Sequence, residues 1–224
     1  MEQPYAKIPH PPDSFDRMPV HPIADPQITG AVLAGGLGTR LGGLDKGWIK
    51  VAGKPLIERV LSRLQPQVST AIINANRHLT EYAQWGWPVV PDVWPDYAGP
   101  LAGISAALSA CRTDWLLLVP VDAACLPGDL AQRLRAATRE HDLPAAFVST
   151  ADGPMPVCCL VARAMQDDLQ SQLAGGERSV MRWLSRHRAR PVSFEEWPRD
   201  YWSLNTPEDR LRVEALLAGQ PADA

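Results

Sequence analysis

An α/β fold built on a parallel sheet is what this sequence predicts, and three observations predict it. From Thr29 onward, short apolar runs alternate with amphipathic segments of about ten residues, the pattern of strand–helix units feeding a parallel sheet. The length of 224 residues suits one core rather than two. Seven of the 16 glycines fall between Gly35 and Gly53, directly behind the first apolar run, where an open α/β sheet carries its ligand loop.

Strands are predicted at residues 30–33, 71–74, 88–90, 115–120 and 145–149, with a further apolar run at 157–161. Helical patterns lie between them at 56–64, 101–110 and 127–139. The second has Leu101, Ile104, Leu108 and Cys111 at helical spacing, and the third opens with Pro127, a favoured first-turn residue. Further helices are expected at 163–173, 179–186 and 206–217. The last begins Asn205-Thr206-Pro207-Glu208, with Thr206 as N-cap and Pro207 in the first turn. Residues 1–27 hold seven of the 22 prolines and no apolar period, so a flexible, extended N-terminal extension is expected there. One domain should follow over 28–218, ending in a short disordered tail at 219–224.

Composition excludes several function classes. With 46% hydrophobic and 21% charged residues the chain sits near globular averages, which excludes wholesale disorder and a coiled coil. The formal charge of −3, without a basic run, argues against a nucleic-acid partner, so an anionic ligand needs a local site. The longest apolar run, 115–121, falls far short of the roughly 20 residues that a membrane span requires. No basic stretch followed by an apolar one opens the chain, and the four cysteines form no CxxC pair. A cytoplasmic protein with reduced thiols is expected. Cys158 and Cys159, adjacent in a predicted strand, should point to opposite faces, at least one into the core.

The chemistry concentrates behind the first strand, in Leu33-Ala34-Gly35-Gly36-Leu37-Gly38-Thr39-Arg40-Leu41-Gly42-Gly43-Leu44-Asp45-Lys46-Gly47. Dense glycine lets the backbone approach a ligand closely, and clustered N–H groups beside Arg40 and Lys46 suit a polyphosphate. It is no P-loop, because Lys46 is followed by Gly47 and Lys54 by Pro55 rather than Ser or Thr. Nor is it a dinucleotide fingerprint, whose third glycine is replaced by Leu41. A nucleotide site remains. Asp122, just past the 115–120 strand, comes to the same rim, where its carboxylate suits Mg²⁺ completed by nucleotide phosphates. Asp92 and Asn74 also end predicted strands and are either turn residues or part of the binding edge.

Leu33-Ala34-Gly35-Gly36 with Arg40, Gly42-Gly43-Leu44-Asp45-Lys46-Gly47 and Gly53-Lys54-Pro55-Leu56 together resemble the start of a molybdenum cofactor guanylyltransferase. Matching pieces follow in order: Asn74-Ala75-Asn76-Arg77-His78, Asp92, Gly99-Pro100-Leu101-Ala102-Gly103, Asp122, Gly176-Glu177-Arg178 and Asn205-Thr206-Pro207-Glu208. The resemblance implies a Rossmann-like three-layer α/β/α nucleotidyltransferase with a mostly parallel sheet. It implies transfer of GMP from GTP to the phosphate of the molybdopterin cofactor, with Mg²⁺, releasing pyrophosphate. By the same resemblance Leu33, Ala34, Gly35, Gly36, Lys46, Asn74, Asp92 and Asp122 match GTP-binding positions, and Asp122 also the metal ligand. Arg40 and Gly43 match the phosphate loop, Gly99 and Gly103 the nucleotide loop, and Arg178 and Asn205 the pterin side. Arg40, Lys46 and Asp122 are the expected catalytic residues. Implied partners are small-molecule substrates, cofactor-insertion proteins and acceptor molybdoenzymes, around a monomer. The chain departs from the family at Val121-Asp122-Ala123-Ala124 and at Met155-Pro156, on the pterin side. A cytidylyltransferase for the same cofactor, a sugar-1-phosphate nucleotidyltransferase and a non-catalytic GTP sensor are the competing readings.

Overall fold

The computed structural model describes residues 25–36, 45–94, 99–197, 204 and 206–218. The first strand, β1, runs Asp25–Leu33. After it come a 3-10 turn at Lys46–Trp48, a small hairpin of β2 (Lys50–Val51) with β3 (Lys54–Pro55), and helix α1 (Leu56–Leu64). Strand β4 (Val68–Asn74), the short helix α2 (Leu79–Ala83), β5 (Val89–Val90) and helix α3 (Pro100–Ala110) complete the first half. The second half comprises β6 (Trp115–Pro120), α4 (Leu130–His141), β7 (Ala145–Thr150), β8 (Gly153–Ala162), α5 (Gln166–Ala174), α6 (Val180–Arg186), β9 (Arg190–Ser193) and α7 (Pro207–Ala218).

Seven strands form one sheet in the order β5-β4-β1-β6-β8-β7-β9. The pairs β1–β4, β1–β6, β4–β5 and β7–β9 are parallel; β8 runs antiparallel to both β6 and β7. Alternation along each strand feeds two cores. Leu117 and Val119 of β6 pack with α1 and α4, while Leu116 and Leu118 pack on the other face with α3, α5 and α6. The three-layer, mostly parallel α/β fold expected from the sequence is therefore present.

The same alternation separates the paired cysteines: Cys158 joins the first core and Cys159 the second, both fully buried. All four thiols are free, and burial pushes that of Cys125 up to about 12. No helix among the described residues is long and apolar enough to cross a membrane.

Three local expectations change. β1 opens at Asp25, inside the stretch read as an extension, with an irregular register between Asp25 and Thr29. Helix α4 starts at Leu130 rather than Pro127, because a distant side chain caps it. The Gln67 amide donates to the Pro127 carbonyl (2.8 Å), and its oxygen accepts from Ala131 N–H (3.0 Å). The hairpin, α2 and β9 are further elements, too short or too polar to carry an apolar period. Thr206 does cap α7: its hydroxyl accepts from Asp209 N–H (3.0 Å), and the Asp209 carboxylate accepts from Thr206 N–H (2.8 Å).

Candidate functional site

The winding of the sheet places the site. The chain moves from β1 outward to β4 and β5, then returns across β1 to β6, so the strand order reverses beside β1. Open sheets bind ligands at the carboxyl ends of the strands flanking such a reversal. Here those ends are in register: Leu33 lies opposite Asn74 on one side and Pro120 on the other. Two backbone bonds, Ala34 N–H to Asn74 O (2.8 Å) and Val121 N–H to Leu33 O (3.1 Å), extend the rim past the strands.

A cleft of about 400 Å³ opens at this rim. Its lining includes ten of the residues singled out in the sequence: Leu33, Ala34, Gly35 and Gly36 behind β1, Lys46 from the 3-10 turn, and Asn74, Asp92, Gly99, Gly103 and Asp122. Lys46 Nζ donates to Asp122 Oδ2 at 2.7 Å, an ion pair joining residues 76 apart in sequence. Burial pushes the Asp122 carboxyl above its ordinary value, and the Lys46 ammonium works against that shift. The cleft therefore brings a desolvated carboxylate and a cation together, close enough to act on a common phosphate.

The opposite wall is an amide network. Asn74 Nδ2 donates to Val90 O (3.0 Å) and Asp92 Oδ1 (2.8 Å). Asn76 Nδ2 donates to Asp92 Oδ2 (2.9 Å) and Gly35 O (3.2 Å), while Asn76 Oδ1 accepts from Asp92 N–H (2.8 Å). Both oxygens of Asp92 are thus held by asparagine amides, and Gly35 is tied to the same group. Asn76 is the site residue that reading by position missed. It lies two residues past the end of β4, in a bend, so strand alternation does not reveal it. Two glycines make room for the network. A Cβ at Gly35 would stand 2.9 Å from Asn76 Nδ2, and one at Gly103 would overlap Asn74 Oδ1. Gly99 caps α3 with φ of +76°, in the region that favours glycine.

Of the remaining expectations, Arg40, Gly43 and Asn205 lie outside the described residues. Arg178 adjoins Gly99 through its carbonyl, but its guanidinium Nη1 donates to the carbonyls of Leu173 (3.0 Å) and Glu177 (2.8 Å) and does not line the cleft. Glu177 anchors that segment: its carboxylate accepts from the N–H groups of Arg178 and Ser179 and from the Arg182 guanidinium, which lowers its pKa to about 2. A carboxyl with a depressed folded value stabilises the fold above its unfolded value and loses that contribution as pH falls. The melting temperature should accordingly drop between the ordinary Glu value of about 4.3 and the native value of about 2. In Glu177→Gln that part of the decline should flatten; an unchanged melting profile would count against this anchor.

No group of three or more His, Cys, Asp or Glu side chains among the described residues forms a closed metal cage. Mg²⁺ needs no such cage, because it keeps waters and takes one or two carboxylates together with substrate phosphates. The carboxylates that line the cleft are Asp92, held by the two asparagines, and Asp122, paired with Lys46.

A family model described as a MobA-like NTP transferase domain matches residues 30–190. The molybdenum cofactor guanylyltransferase of Polynucleobacter asymbioticus is 41% identical, over 87% of this chain and 100% of the relative. The chain belongs to the molybdenum cofactor guanylyltransferase family. Another family member, from Cupriavidus pinatubonensis, is 42% identical over 86% of this chain and 99% of its own. In fold, the chain is similar to the crystal structure of a molybdopterin-guanine dinucleotide biosynthesis protein A from Archaeoglobus fulgidus. That structure superposes with a TM-score of 0.71 at 23% identity, covering 86% of this chain and 100% of the other. The cleft at the carboxyl ends of β1 and β6 is the candidate site of this member of the family.

Proposed function

We propose that this protein transfers GMP from GTP to the phosphate of the molybdenum-molybdopterin cofactor, forming the guanine dinucleotide cofactor and releasing pyrophosphate. The observation that carries the reading is the Lys46–Asp122 pair, 2.7 Å apart, at the carboxyl ends of β1 and β6 in a chain of this family.

In this mechanism the cofactor's phosphate oxygen attacks the α-phosphorus of GTP in line, the α–β bridging P–O bond breaks, and pyrophosphate leaves with that electron pair. The attacking phosphate is ionised near neutral pH, so no protein base or covalent nucleophile is required. Catalysis is positioning and charge neutralisation. Lys46 stabilises charge on the transferring phosphate, assisted by Arg40, and the amide network with Gly35 and Gly36 shapes the nucleotide wall. Gly99 and Gly103 let α3 approach the nucleotide. Asp122 would hold Mg²⁺, which would supply further neutralisation of the phosphates. Arg178 and Asn205 serve the pterin half. The enzyme works in the cytoplasm, a setting supported by four free, buried thiols, and passes its product to insertion proteins and acceptor molybdoenzymes.

The test is pyrophosphate release with Mg²⁺, each NTP in turn, and either molybdopterin or sugar phosphates. Release with GTP and molybdopterin alone is the expected result. Tight GTP binding without release would make the protein a sensor, and release with sugar phosphates would move it to the sugar enzymes. Calorimetry should show GTP binding at least tenfold more tightly than CTP, since a wrong base leaves buried polar groups unpaired. Tighter CTP binding would assign the protein to cytidylyl transfer.

A further inference from the structure

Asp45 is a carboxylate that the transfer mechanism does not use, yet it is buried and takes three donors. Its side chain is 5% exposed. Asp45 Oδ1 accepts from the Tyr82 hydroxyl at 2.6 Å and from Gly47 N–H at 3.1 Å, and Oδ2 lies 3.0 Å from His78 Nδ1. These contacts converge on the one 3-10 turn that carries Lys46. Asp45 is its N-cap, and the backbone bonds Trp48 N–H to Asp45 O and Ile49 N–H to Lys46 O, each 3.1 Å, close it.

Tyr82 holds the turn from beneath. It is fully buried in α2, and the ring of Trp48 lies 5.2 Å from its own, centroid to centroid. A Cβ added at Gly47 would overlap the Tyr82 hydroxyl, so the backbone beside Lys46 rests directly on the phenol. Burial and the adjacent Asp45 both push the Tyr82 hydroxyl upward, which keeps its proton in place as a donor. A lysine on a flexible four-carbon stem reaches many positions. Here the residues on both sides of it are pinned, and its ammonium ends on Asp122.

We infer that Asp45, held by Tyr82, is a positioning residue for Lys46: it locks the turn at Gly47 so that the ammonium is aimed at the phosphates before GTP arrives. The inference rests on the function proposed above and assigns a role to residues that do not line the cleft of Lys46 and Asp122.

The experiment is a cycle of four full-length proteins: parent, Tyr82→Phe, Lys46→Ala and the double variant. Each is measured for GTP affinity by calorimetry, pyrophosphate release and thermal melting. Tyr82→Phe removes one hydroxyl and should slow release roughly tenfold in the parent, yet change it less than about twofold when Lys46 is already absent. GTP affinity should follow the same pattern with smaller losses. Equal losses in both backgrounds overturn the inference, because a purely structural role for Tyr82 does not depend on Lys46; no loss in either background overturns it as well. Where Tyr82→Phe lowers the melting temperature substantially, Asp45→Asn is carried through the same two backgrounds and decides by the same criterion. A parent that binds no GTP overturns the proposed function and this role with it, whereas a parent that binds and turns over leaves the cycle to judge Asp45 and Tyr82 alone.

Discussion

Asp122→Asn is expected to slow guanylyl transfer by at least about two orders of magnitude, the scale of losing one preorganised electrostatic contact. The substitution keeps the side chain's size and removes the charge that pairs with Lys46 and that would hold Mg²⁺. The fold should not suffer. Burial raises the Asp122 carboxyl, so ionising it costs more in the folded protein than in the unfolded chain. A group with a raised folded value costs stability as pH climbs through its unfolded value toward the native one. Above the ordinary carboxylate range, Asn should therefore melt at the same temperature as the parent or higher. Lys46→Ala should slow transfer comparably. Combining the two should cost less than the sum, because both act on one charge cluster. Pyrophosphate release, GTP affinity and melting of the singles and the double check this. Near-parental turnover in Asp122→Asn that still requires Mg²⁺ would place the metal elsewhere.

Gly103→Ala should weaken GTP binding by roughly ten- to a hundredfold, from an overpacking cost of about 1–3 kcal/mol. The added Cβ overlaps Asn74 Oδ1, and the neighbour cannot easily yield. The other end of that amide is committed to Val90 O and Asp92, so displacing it disturbs Asp92 and, through Asn76, Gly35. Calorimetry on Gly103→Ala measures the loss. Parental GTP affinity in Gly103→Ala would show that this contact does not shape the nucleotide wall.

Much of the site was legible in one dimension because its signals are local. A glycine-dense segment after an apolar strand, a lysine inside it, and acidic or amide residues just past strand ends need no partner to be recognised. Lys46, Asn74 and Asp122 carry those signals, Leu33 follows only from the family resemblance, and the sheet brings all four to one cleft. Asn76 is not recognisable from its own position, since its role depends on Asp92 and Gly35 arriving from other segments. Tyr82 was harder still. The helix that carries it, Leu79–Ala83, is too short for an apolar period, and its hydroxyl acts on a carboxylate 37 residues away.

The sequence by itself determined the α/β class, the residues that share the rim of the sheet, the N-cap of α7 and the split of Cys158 and Cys159 between two faces. Each follows from period, capping chemistry or strand alternation within a few residues. Only the tertiary structure decided that β8 runs antiparallel between β6 and β7, that Gln67 sets the start of α4, and that Asp45 is sealed beneath Lys46. In these cases a buried polar group or a strand edge had to find its partner across the fold. The energetic requirement to satisfy it, rather than any local preference, selects that partner.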